Sequence, residues 1–405
     1  MKRVIFLNRF FAPDYSATSQ ILSDLAFALA QSGRDVHVIT SRQLYDNPQA
    51  KLPSESLVGG VHVHRVFSTH FGRAGLAGRG IDYLSFYASL WRRMLALSQR
   101  DDILVAMTDP PLTSIPAMLA AKRRGTHLIN WLQDIYPEIA IELGVPLMKG
   151  PFGYVLSRLR DASLKAADVN VVVGERMAEY VLSRGITRDR IQIIHNWSDD
   201  DQIYPVANAD NPLRREWDLD EKFVVGYSGN LGRAHEFNTV LAAGELLRDH
   251  PRIVFLFIGG GHRMNELAQI VKARGLDSTF KIFPYQERKL LNYSLGVPDI
   301  HWVSLKPTVE GLIVPSKLYG IAAAGRPIIA IAARDGEIAR LVRLHNCGFV
   351  IEPGKANLLA IALAKLSTDM HLLTDMGTRS RVMLDAYFTR RRAFELWSNV
   401  LNQLE

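Results

Sequence analysis

"KRVIFLNRFFAPDYSATSQILSDLAFALAQSGRDVHVIT", residues 2–40, decides the architecture. A run rich in β-branched and apolar residues gives way to a loop carrying Pro13. Apolar residues then recur at helical spacing as far as Gly33, and "DVHVIT" (35–40) reads as a second strand. Strand, helix and strand within about forty residues make a βαβ unit, whose crossover sets the two strands parallel in one sheet. The pattern returns in "DILVAMT" (102–108), "TSIPAMLAAKRRG" (113–125) and "HLINWLQD" (127–134). It returns again in "DVNVVVG" (168–174), "ERMAEYVLSRG" (175–185) and "IQIIHNW" (191–197).

Beyond a polar loop, "SDDDQIYPVANADNP" (198–212), a second series opens with "FVVGYSGNLGRAHEFNTVLAAGELL" (223–247). It continues through "RIVFLFIGGG" (252–261), "FKIFPY" (280–285), "DIHWVSL" (299–305) and "RPIIAIAA" (326–333). A chain of 405 residues exceeds one ordinary core. The expectation is an α/β fold of two Rossmann-like domains facing across a cleft, the first spanning 1–200 and the second 201–382. In such sheets ligands bind at the carboxyl ends of the strands.

The charge balance, 48 Lys and Arg against 41 Asp and Glu, permits attraction to phosphate or an anionic membrane without demanding either. A single cysteine, Cys347, excludes a disulfide framework and a cysteine-based metal cluster. Residues 1–10 read as a strand and not as a signal peptide, and no apolar run approaches the roughly 18 residues of a spanning helix. No metal-binding, Walker, kinase or nucleic-acid motif is present; "HVHR" (62–65) alternates as a strand does.

Three loops between strand and helix carry candidate chemistry. Gly229 and Gly232 in "GYSGNLGRAHEF" leave backbone N–H groups open to phosphate, with Asn230, Arg233 and His235 beside them, or else form a solvated turn. Gly260 lies in the glycine-rich turn "FIGGGHRMNEL" (257–267), and Tyr285 ends a following strand. "EGLIVPSKLYGIAAAGRP" (310–327) places Pro315 at a helix start, Ser316 as its cap and Lys317 in the first turn, where its charge opposes the helix dipole unless an anion binds. Glu310, Leu312, Ile313 and Val314 lead into that turn. A separate aromatic segment, "IDYLSFYASLWRRMLAL" (81–97), is either a core helix or an interfacial one. The interfacial alternative would set Tyr83, Trp91, Arg92 and Arg93, helped by Arg73 and Arg79, on an anionic membrane.

Taken in order, "FFAPDYSATSQILSDLAFALAQSGRDVHVIT", "IIHNWSD", "GYSGNLGRAHEFNTVLAA", "VPSKLYGIAAAGRPIIAI", "GEIARLVRLHNCGFVIEPGK" and "AYFTRRRAFELWSNVLNQL" resemble the GT-B glycosyltransferases. The resemblance is to the retaining enzymes of family 4 that assemble colanic acid and O-antigen, and it spans nearly the whole chain. It implies a hexosyl or N-acetylhexosaminyl transferase with a nucleotide-diphosphate sugar, UDP-linked by preference, on the C-terminal domain. It implies also a polyprenyl-diphosphate-linked saccharide acceptor on the N-terminal domain, and no metal cofactor. A closing helix, 383–405, would cross back to the N-terminal domain, and the protein would work on the cytoplasmic face of the plasma membrane. Lys317, Arg233 and Asp134 would then be the catalytic set, with the loop at Ser16 and Ala17 supplying N–H groups to a phosphate.

Departures from the family pattern limit this. Asn230 and His235 stand where an Arg and a Lys are usual, and Leu312 and Gly320 where paired glutamates touch the donor, Glu310 being the nearest substitute. Gln133 and Asp134 stand where a histidine is usual; Asp134 either polarises a hydroxyl or caps a helix. A nucleotide-sugar epimerase of the same fold, or a nucleotide-sugar-binding subunit without turnover, are the alternatives.

Overall fold

Buried on both faces, the β-branched runs pair as parallel strands, as their continuous hydrophobicity requires. The computed structural model describes residues 2–72, 75–261 and 263–405. The chain divides into two units, Met1–His195 with Ala393–Glu405, and Asn196–Arg392. The exchange therefore falls at His195, ahead of residue 200. The return begins at Ala393 and not at 383, because residues 383–387 still belong to a long helix of the second unit.

In unit 1 the strands are β1 (Val4–Leu7), β2 (Val36–Ser41), β3 (Glu55–Val58), β4 (Val61–Val66), β5 (Ile103–Ala106), β6 (His127–Leu132), β7 (Val169–Val172) and β8 (Ile191–Ile193). They lie in the order β3-β4-β2-β1-β5-β6-β7-β8, with only β3 antiparallel. Helices α1 (Ala17–Gln31), α2 (Leu76–Leu97), α3 (Ser114–Arg124), α4 (Glu138–Glu142), α5 (Pro151–Ala166) and α6 (Glu175–Ser183) connect them. Gly33 and Gly125, at φ +87° and +69°, end α1 and α3 in the left-handed region that glycine adopts freely.

Unit 2 holds α7 (Pro212–Glu216), β9 (Phe223–Asn230), α8 (Asn238–Leu246), β10 (Ile253–Gly260), α9 (Met264–Ala273), β11 (Phe280–Phe283), α10 (Leu291–Gly296) and β12 (Ile300–Ser304). It continues through α11 (Lys317–Ala323), β13 (Ile328–Ile331), α12 (Glu337–His345), β14 (Gly348–Ile351), α13 (Ala356–Leu366) and α14 (Met370–Tyr387). Its parallel sheet runs β11-β10-β9-β12-β13-β14 over a core that includes Phe255, Phe257 and Trp302. Finally α15 (Arg390–Asn402) carries the chain back to unit 1. There Trp397 is fully buried, its ring 4.6 Å from that of Trp131 on β6.

Candidate functional site

Each sheet reverses its strand order once, between β1 and β5 in unit 1 and between β9 and β12 in unit 2. Loops leaving the two central strands diverge at such a point and open a crevice at the carboxyl edge. Most of the polar candidates lie on the loops at these edges.

In unit 2, β9 and β10 are paired in register at Gly229 and Gly259, one residue before both strands end, with φ +116° and +138°. A Cβ on Gly259 would stand 2.3 Å from the Gly229 carbonyl oxygen, so only glycine allows this approach. Across the same edge lies the stem of Lys317, whose Cε would be 3.0 Å from a Cβ on Gly229. Gly260 is likewise crossed by the Tyr285 ring, whose Cε2 would be 3.0 Å from an added Cβ.

Lys317 Nζ lies 3.1 Å from His235 Nε2 and 5.1 Å from the centroid of the Tyr227 ring. His235 Nδ1 donates to the Ser304 carbonyl at the end of β12, at 2.7 Å. That bond fixes the ring proton on Nδ1 and turns the Nε2 lone pair toward the ammonium. Arg263 donates to the His235 carbonyl at 3.2 Å and stacks over Phe237 at 4.2 Å. Burial, with no carboxylate set against it, lowers the Lys317 ammonium to about 8. Burial and then the Lys317 charge lower His235 to about 4, so the imidazole is neutral at pH 7. A desolvated cation beside a neutral acceptor is poised to gain a strong partner in an anion.

The rest of the "PSK" turn departs from expectation. α11 begins at Lys317; Pro315 is buried ahead of the helix, and Ser316 is exposed, in helical geometry, with no capping bond from its side chain. Leu312 is buried, so its side chain belongs to packing, while Ile313 and Val314 are half-buried. Glu310 is turned toward the start of α12, accepting the Glu337 N–H at 3.2 Å. Its Oε1 would meet a Cβ on Gly336 at 2.1 Å, so Gly336 is what admits the carboxylate there. Asn230 is exposed as the last residue of β9, and Arg233 is exposed on the loop after it.

In unit 1, Ser16 precedes α1 with its N–H on Asp14 Oδ1 at 2.7 Å, and Ala17 opens the helix. Asp109 follows β5 at the reversal point, its carbonyl accepting the Arg9 N–H at 2.6 Å. Burial raises the Asp109 carboxyl to about 6, with the Asp14 charge adding to the rise, against the pull of Arg9 and a bond from Thr18. Asp134, two residues past β6, is also raised to about 6, by burial first and by the Asp109 charge second. Two coupled carboxyls that hold a proton close to neutrality can accept or release one. Asp109, Arg263 and Ser304 were not singled out from the sequence. Asp109 was legible as an aspartate ending a strand; the other two act through contacts that carry no local pattern.

The membrane set placed on α2 is corrected. Phe86, Leu90 and Met94 lie in the core with Trp91 packed against it, Tyr83 is half-buried under Arg9, and Arg93 is held by Glu55 and His64. Only Arg92 of the four is exposed, as is Arg79 near the other end of α2; Arg73 lies outside the described residues. Among the described residues no group of His, Cys, Asp or Glu has the arrangement of a metal site.

Residues 17–197 match a family model described as a glycosyl transferase 4-like domain, and residues 210–383 one described as glycosyl transferases group 1. The protein named WbjE in Pseudomonas aeruginosa, described as a glycosyltransferase, is 28% identical over 296 residues, 72% of this chain and 71% of its own. In Escherichia coli K12 the protein named WcaI, described as a colanic acid biosynthesis glycosyl transferase, is 26% identical over 346 residues, 82% of this chain and 83% of its own. Among solved structures, Anabaena HepE in complex with UDP-glucose superposes with a TM-score of 0.74 over the full length of both chains, at 15% identity.

Proposed function

Since the chain is a GT-B glycosyltransferase, with a 4-like domain followed by a group 1 domain, we propose that it moves a sugar from a nucleotide diphosphate, UDP by preference, to a lipid-linked saccharide. The product would be a bacterial surface polysaccharide, and the configuration at the anomeric carbon is retained. The observation that carries the proposal is Lys317, a half-buried side chain at the carboxyl edge of β9, laid across a glycine-lined backbone. The binding of UDP-glucose by HepE and the naming of WcaI for colanic acid agree with this.

In the proposed reaction the bond from the anomeric carbon to the diphosphate oxygen breaks as the acceptor oxygen bonds to that carbon, and the acceptor proton passes to the leaving diphosphate. Lys317 neutralises the charge that grows on the leaving group, and Arg233, exposed two residues from His235, adds a second cation. His235 holds the ammonium in place through its Nε2. Backbone at Gly229 and Gly260 lets phosphate approach closely. Asp134, coupled to Asp109, polarises a sugar hydroxyl. With the charge met by side chains, the reaction requires no metal. No helix of the described residues is long and apolar enough to cross a membrane, and the protein works peripherally on the cytoplasmic face.

The test is transfer from a panel of UDP-, GDP-, ADP- and dTDP-sugars to polyprenyl-diphosphate saccharides with EDTA present, the product linkage read by NMR. Transfer from one donor with an unchanged anomeric configuration is expected. Isomerised sugar released without any acceptor, or donor binding with no transfer to any acceptor, overturns it.

A further inference from the structure

We infer that the cavity at the amino edge of the unit 2 sheet, between the start of β13 and α14, is a second ligand site, built for a small organic anion and joined to the donor edge by α11. The site itself is independent of the donor reading proposed above; only its coupling rests on that reading.

The cavity measures about 350 Å³, within the range of small-molecule sites. Arg326 and Pro327 stand immediately ahead of β13 and Asp299 immediately ahead of β12, so it lies at the edge opposite to the loops after β9 and β10. Strands of four and five residues separate the two edges by roughly 15 Å. Pro205, Leu373, Met370 and Val382 supply an apolar wall. Close backbone contacts fix that wall. Gly325, at φ +62°, turns the chain from α11 toward β13, and a Cβ there would stand 2.9 Å from Pro205 Cγ. A Cβ on Gly377 of α14 would stand 2.3 Å from the Gly325 carbonyl oxygen. Packing therefore sets the shape of the cavity before a ligand arrives.

The polar groups point to an anion. Arg326 spends Nη2 on the carbonyls of Val206 and Gly296 and on Asn208 Oδ1, at 2.8, 2.5 and 2.9 Å, while its buried Nε has no partner. Arg381 gives Nη1 to the carbonyls of Ile203 and Ala323, at 3.1 and 2.9 Å, and Nε to Asp385 at 2.9 Å. Among the described residues its Nη2 makes no hydrogen bond. The carboxylate on the wall, Asp299, is already satisfied. Its Oδ1 accepts from Asn208 at 2.6 Å and pairs with Arg214 at 3.3 Å, and its Oδ2 takes the Val224 N–H at 2.7 Å. Two guanidinium groups with donors to spare suit a phosphate, carboxylate or sulfonate, and the apolar wall suits the ring or chain that carries it. The coupling runs through α11. That helix starts with Lys317 at the donor edge and ends at Ala323, whose carbonyl Arg381 holds. An anion that draws Arg381 from this carbonyl moves the far end of the helix that carries Lys317, and the linkage is reciprocal.

Fluorescence titration of the full chain with 8-anilinonaphthalene-1-sulfonate, an aromatic body carrying one anionic group, tests this. It is run with and without saturating UDP, which keeps the dye off the donor edge. Thr374 and Thr378 line the cavity from exposed positions on α14, so Thr374→Glu with Thr378→Glu sets two carboxylates beside it without entering the core. Thr374→Gln with Thr378→Gln adds the same bulk without the charge. A saturable dye site that persists under UDP is expected, weakened about tenfold or more by the glutamate pair and left unchanged by the glutamine pair. No saturable site, no weakening by the glutamates, or equal weakening by both pairs overturns the inference. Bound dye is also expected to change UDP affinity, read by calorimetry, by about fivefold or more, and UDP to change dye affinity by the same factor. Independent binding of the two refutes the role given to α11. Dye binding that follows the pattern above in a protein that binds no UDP would sink the donor assignment and leave this cavity standing.

Discussion

Lys317 and His235 stand 82 residues apart in sequence and meet because β9 and β12 are neighbours in the sheet. Their pairing makes donor binding pH-dependent, with a definite sign. A diphosphate raises the Lys317 pKa from about 8 toward its ordinary value, so the complex holds a proton that the free protein sheds at higher pH. UDP affinity is therefore level below pH 7 and falls roughly tenfold between pH 7 and 9. Calorimetry in buffers of different ionisation enthalpy reads both the fall and the proton uptake, and a flat profile refutes the assignment. At pH 7, Lys317→Ala costs about 1.4 kcal/mol of UDP binding or more, a tenfold weakening. Asp134 titrates in the other direction. Its folded-state carboxyl, at about 6, lies above its unfolded value, so ionisation is penalised in the fold: the penalty is absent below about pH 4 and complete above about pH 6. Asp134→Asn should match the wild-type Tm near pH 4 and exceed it at pH 8. A difference independent of pH would show that the environment of Asp134 is not what raises its carboxyl.

Among the elements, the strand ends beneath the site are the least tolerant. Gly259 combines φ +138° with a 2.3 Å approach to the Gly229 carbonyl, so Gly259→Ala is expected to cost about 1–3 kcal/mol in urea unfolding. Gly275→Ala, at φ +62° with open space around it, should cost clearly less. Equal costs would mean that the two strands separate easily at this edge. Elements buried on both faces were legible in the sequence: β1, β5, β9 and β10 are apolar runs closed by loops rich in Gly, Pro or Asp. β3 was not, because Glu55–Val58 is a half-exposed antiparallel edge. β14 escaped as well, since it opens on Gly348, where a Cβ would lie 1.7 Å from the Ile328 carbonyl oxygen. The helix α2 was ambiguous for a physical reason. Its aromatic stripe is wide enough for a core or for a membrane, and only packing against Leu104, Ala117 and their neighbours decides for the core.

At the scale of the whole molecule, the division into two α/β units and the glycine-lined edge around Lys317 were legible. The reversal point between β1 and β5, which brings Asp14 near Asp109, was not, because strand order is a long-range property. Nor was the seam at residue 393, which falls inside the single helix α15. Trp397→Ala should destabilise unit 1 by about 3–5 kcal/mol, through the space left beside Trp131, while UDP binding on unit 2 persists. Limited proteolysis with and without UDP separates the two effects; a loss confined to unit 2 would contradict the placement of α15. The same helix sets an order of events during synthesis. Residues 393–405 are translated after all of unit 2, so the first unit to leave the ribosome waits, with the surface around Trp131 uncovered, until the second has been made. The early half of this protein is finished last, and in that interval it is the half most in need of a chaperone.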